Sequence, residues 1–121
     1  MRAEIKELHC PEVIDLKKFY PSEPDNFCLF IQIFVGPSGQ EGDEAFNITV
    51  CTPKWMESEY KEREMIFGLY HLIVFEYNYD KIYEKLKKYV ERFDEPDWAS
   101  LAKKIGRIAY WEFEDYKPNI K

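Results

Sequence analysis

The chain has 121 residues, 45% apolar and 33% charged, with 17 basic against 23 acidic side chains and a net charge of -6. A chain of this length fits one domain, 1–121, that buries roughly two-thirds of its unfolded surface and needs neither disulfide nor metal to fold. The acidic balance argues against non-specific nucleic-acid binding and docking on anionic membrane, and favours basic partners.

In chain order, residues 1–7 carry no apolar core of a secretory leader, and residues 2–8 alternate loosely as an edge strand blunted by charge. Three prolines at 11, 21 and 24 make residues 10–26 irregular, with a helical turn over 13–19 and an exposed loop over 20–26. Residues 27–35 read as a central strand, apolar on both faces. Gly36, Gly39 and Gly42 supply turn chemistry with access to positive φ. Residues 44–51 then alternate, Phe46, Ile48 and Val50 on one face and Ala45, Asn47 and Thr49 on the other. The two runs predict an antiparallel hairpin with an acidic tip.

Thr52-Pro53 is an N-cap followed by proline at the first helical position, and opens a helix with Met56 and Tyr60 on one face. Glu57 with Lys61 and Glu59 with Arg63 are spaced as exposed helix pairs. Gly68 breaks the pattern, and residues 69–77 read as a second strong strand. Residues 80–93 form an amphipathic helix with Ile82, Leu86, Tyr89, Val90 and Phe93 inward. Asp97 caps a further helix whose buried face is Trp98, Leu101, Ala102 and Ile105, and residues 109–114 suit a short last strand. The expected fold is α+β: a mainly antiparallel sheet of four to five strands with two to three helices packed on one face.

Little of this carries chemistry. His9 and Cys10 are neighbours, but nothing nearby completes a metal site, and His71 reads as a hydrogen-bonded structural residue. No cofactor is expected. The glycine run fits neither phosphate-binding motif, and no nucleophile elbow is present. Cys10, Cys28 and Cys51 are odd in number and lack C-x-x-C spacing, as reduced cytosolic thiols do; Cys28 and Cys51 lie in strand-like runs. The densest feature is Trp111-Glu112-Phe113-Glu114-Asp115-Tyr116, whose rings offer rigid contact area and whose acids supply sign. Two readings coexist there: the rings pack on the sheet with solvated acids, or the patch grips a macromolecule. In a strand, Glu112 and Glu114 would share a face, which admits a small carboxylate-dependent hydrolase, although no cleft is predicted to split their pKa values. A self-associating regulatory or ligand-binding domain is the other alternative.

The segments Val35-Gly36-Pro37, Val50-Cys51-Thr52-Pro53-Lys54-Trp55, Ile66-Phe67-Gly68, 71–77 and the terminal aromatic–acidic block together resemble the immunity protein 8 family of bacterial polymorphic-toxin systems, over nearly the whole chain. The resemblance implies a cytoplasmic, non-enzymatic protein that holds a cognate toxin domain inactive by tight binding, as in contact-dependent inhibition; such toxins are often nucleases. It implies no nucleic-acid or membrane partner and leaves monomer and homodimer both open. Glu41, Asp43 and Glu44 at the hairpin tip, or Glu112, Glu114 and Asp115 at the C-terminus, are the expected partner-binding acids.

Overall fold

In a computed structural model, residues 1–116 are described; the last five of the expected 1–121 domain lie outside them. The elements are β1 (Ala3–His9), β2 (Cys28–Pro37), β3 (Glu44–Cys51), α1 (Pro53–Tyr60), a 3-10 turn (Lys61–Arg63), β4 (His71–Ile73), α2 (Tyr79–Glu91), α3 (Trp98–Ile105) and β5 (Tyr110–Trp111). The fold is α+β, a five-stranded, mainly antiparallel sheet with three helices. Strands run in the order β1-β2-β3-β4. The far edge of β3 is shared: β5 pairs antiparallel with Phe46 and Asn47, and β4 pairs parallel with Thr49 to Cys51. Among the described residues, no helix is long and apolar enough to cross a membrane.

Strand alternation selects the core. Leu29, Ile31, Ile33 and Val35 of β2 and Phe46, Ile48 and Val50 of β3 are buried, as are Ile82, Leu86 and Val90 of α2 and Leu101, Ala102 and Ile105 of α3. Asn78 caps α2 through Lys81 N–H (3.1 Å), and Asp97 caps α3 through Ser100 N–H (2.8 Å). The hairpin is as expected, with one refinement. Gly39 and Gly42 take positive φ, but Gly36 serves close approach: a Cβ there would sit 2.0 Å from the Gly42 carbonyl oxygen.

Other elements differ from the sequence expectation. The strand expected over 69–77 is cut to His71–Ile73, because β3, its partner, ends at Cys51 and turns at Thr52 into α1. The last strand is only Tyr110–Trp111; the Glu114 N–H then bonds back to the Trp111 carbonyl at 2.9 Å, so Glu112 and Glu114 do not share a strand face. Within 13–19 the expected helical turn is present: Phe19 N–H donates to Asp15 C=O at 3.0 Å. Helix α1 has its expected Thr52 cap and Pro53 start but contributes no buried residue. Trp55 is half-buried, edge-on to Tyr60 at 5.3 Å, and Arg63 lies over the Tyr60 ring at 5.4 Å.

Candidate functional site

The face of the sheet opposite α2 and α3 is where function is to be sought. Its residues follow from parity: Phe30 and Gln32 on β2, Asn47 and Thr49 on β3, and Tyr110, which pairs with Asn47. With Pro11, Leu69 and Tyr70 they line a shallow groove. Phe30 is 52% exposed, although it sits mid-strand.

The segment leading into β4 borders this groove. Met65, Phe67 and Leu69 are 81%, 90% and 64% exposed. Two non-glycine residues with positive φ bracket them, Glu64 (64°) and Tyr70 (59°). Such backbone costs of order 1–3 kcal/mol per residue and persists only when the surroundings impose it. Contacts at both ends impose it here. Glu64 N–H donates to Lys61 C=O at 3.2 Å, and Thr49 N–H on β3 donates to Tyr70 C=O at 2.8 Å. His71 completes the anchor: its Nδ1 lies 2.6 Å from Leu69 C=O and its Nε2 lies 3.0 Å from Tyr60 OH. A carbonyl can only accept, so Nδ1 carries a proton and donates to Leu69 C=O, while Nε2 shares a hydrogen bond with the Tyr60 hydroxyl. His71 is therefore the structural histidine expected from the sequence. It fixes the end of an apolar loop presented to solvent.

The expected acids fall into two groups. Glu44 shares the parity of Phe46, Ile48 and Val50 and so points to the helix side of the sheet. Its Oε1 accepts from Trp111 Nε1 at 3.1 Å and from Trp98 Nε1. Glu112 Oε1 accepts from Ala45 N–H at 2.9 Å, and Glu112 N–H donates to Ala45 C=O at 3.1 Å. Both carboxylates hold β3 to the C-terminal segment. Glu41, Asp43, Glu112, Glu114 and Asp115 are exposed. The Glu112–Ala45 contacts place the C-terminal block beside the start of β3.

Asp115 adjoins the groove. Asp115 Oδ2 accepts from Tyr110 OH, a bond that raises the phenol pKa above its ordinary value. Tyr110 in turn packs edge-on against Tyr70 at 5.6 Å. Asp115, groove and loop thus form one continuous surface. Trp111 is stacked on Phe46 at 6.3 Å, Phe113 leans on Trp111 at 5.9 Å and Tyr116 on Phe113 at 5.7 Å, so these rings grade from the core outward. Among the described residues, no group of three or more His, Cys, Asp or Glu is placed to hold a metal ion.

Sequence reasoning missed the 64–70 loop. The signal was an apolar run, Met65-Ile66-Phe67-Gly68-Leu69-Tyr70, that fits neither helix nor strand periodicity.

The family model described as Immunity protein 8 matches residues 3–116. No curated protein matches the chain, and no solved structure does.

Proposed function

The chain belongs to the immunity protein 8 family, and on that premise we propose that it neutralises a cognate toxin domain in the cytoplasm of the producing cell by binding it, without turnover of its own. The observation that carries this reading is the continuity of Asp115, the ring-lined groove and the apolar 64–70 loop. Exposed Phe67, Leu69 and Phe30 are the anchors, since desolvated aromatic and aliphatic side chains dominate binding energy and slow release. The pre-set loop lowers the entropy lost on docking. Glu41, Asp43, Glu114 and Asp115 form the charged rim that steers a basic partner, such as the substrate-binding surface of a nuclease toxin. Glu44, on the helix side of the sheet, supports this surface from behind.

The test is rescue. Cells expressing the toxin domain encoded beside this gene should survive when the chain is co-expressed. The double substitution Phe67→Asp with Leu69→Asp should abolish rescue and reduce capture of the purified toxin domain, while the variant stays folded by circular dichroism. A wild-type chain that neither rescues nor binds overturns the reading; a double variant that still rescues moves the interface off the loop.

A further inference from the structure

Cys28 and Cys51 stand directly opposite each other across the β2–β3 ladder. The neighbouring contacts identify the kind of pair they make. Thr52 N–H donates to Phe27 C=O at 3.1 Å, so Phe27 and Thr52 occupy a hydrogen-bonded site. Antiparallel pairs alternate, which makes Cys28 and Cys51 a non-hydrogen-bonded pair. A second contact agrees: Cys51 C=O accepts from Val74 N–H at 2.9 Å, on the β4 side, away from β2. Cα atoms in such pairs lie about 4.5 Å apart with side chains close on one face, within the window of roughly 4.4–6.8 Å that a disulfide spans.

Access differs between the two. Cys51 is buried and Cys28 half-buried, and both are free thiols. Cys10 is buried in the core cluster with Leu16 and Tyr77, of which neither Cys28 nor Cys51 is part.

We infer that Cys28 and Cys51 are a thiol pair that closes to a cross-strand disulfide on exchange with a low-molecular-weight disulfide such as oxidised glutathione. Cys28, the accessible partner, loses its proton, and its sulfur attacks one sulfur of the reagent, releasing one glutathione thiolate that takes up a proton. Cys51 then loses its proton and attacks the Cys28 sulfur, expelling the second glutathione. The protein gives up two hydrogens and two electrons, and the reagent becomes two thiols.

The pair is quiet at rest. Burial, with Cys51, Glu12, Cys10 and Glu59 as further neighbours, pushes the Cys28 thiol up to about 12, and burial raises Cys51 as well. Tyr60 of α1 lies near both, with the Arg63 guanidinium over its ring at 5.4 Å. Below that value the Cys28 thiolate fraction, and with it the first step, rises about tenfold per pH unit.

The experiment treats the whole chain with oxidised glutathione at neutral and mildly alkaline pH and reads intact mass and a non-reducing peptide map. The expected product is lighter by two hydrogens, links the Cys28 and Cys51 peptides, forms about tenfold faster per pH unit, and melts at a higher temperature. Cys10→Ser should close the same bond, and Cys51→Ala should stop at a glutathione adduct on Cys28. A wild-type adduct that persists on Cys28 with Cys51 free, or a bond to Cys10, overturns the inference. So do native thiols that stay unreacted while the urea-unfolded chain oxidises. The inference stands apart from toxin binding.

Discussion

Glu44 accepts a hydrogen bond from Trp111 at 3.1 Å and thereby ties the first residue of β3 to the last residue of β5, 67 positions away. The same oxygen accepts from Trp98 at the start of α3. Truncating this carboxylate leaves two partly buried indole N–H groups without their acceptor. Glu44→Ala should therefore lower the unfolding free energy by about 1–3 kcal/mol in urea titration. Glu44→Gln, which keeps an acceptor, should lose less; equal losses would show that the hydrogen bonds are not what the position supplies.

The exposed acids should behave differently. Reversing Glu41, Asp43, Glu114 and Asp115 to Lys should slow toxin association by tenfold or more at low salt and flatten its salt dependence. Stopped-flow measurement of the on-rate checks this, and unchanged rates would place the interface elsewhere. Each exposed reversal should alter stability by no more than about 0.5 kcal/mol, unlike changes at Glu44.

Glu64 holds φ at 64° without being glycine. Glu64→Gly should raise the unfolding free energy by about 1 kcal/mol, because the strain is removed at an exposed position. A fall in stability would mean that the conformation carries no strain.

Tyr77 is buried among Phe19, Tyr20 and Phe27, and its hydroxyl has no hydrogen-bond partner among the described residues. Tyr77→Phe should be neutral or stabilise the protein by about 1 kcal/mol. A clear loss in thermal or urea unfolding would reveal a partner for that hydroxyl.

Asp97 caps α3, and the Ser100 N–H it accepts holds its carboxyl below the ordinary carboxylate value. A depressed folded-state pKa favours folding above the unfolded value of about 3.9, and the contribution disappears as pH falls through the folded value. Stability should therefore drop on acidification below about pH 4, and Asp97→Asn, which keeps the cap without the charge, should shallow that drop. An unchanged acid profile would exclude Asp97 as a contributor.

Local rules reached the hairpin, the three helices with the caps Thr52 and Asp97 or their apolar stripes, and the structural role of His71, because each depends on periodicity or on one side chain within a few residues. They overextended the strand at 69–77, since a strand lasts only as long as its partner, and β3 stops where Thr52 begins α1. They also treated Glu44 as a surface acid, although its parity with Phe46 already placed it on the helix side.

By itself, then, the order of residues determined most secondary elements, the buried faces of β2, β3, α2 and α3, and the family, because these follow from spacing and local composition. Only the tertiary structure showed that Glu44 binds two indoles and Glu112 the β3 backbone. It also set the C-terminal block beside the start of β3, raised the 64–70 loop to solvent and set Cys28 opposite Cys51. Those outcomes depend on strand register and on contacts between residues distant in the chain, and neither is encoded in any short stretch of it.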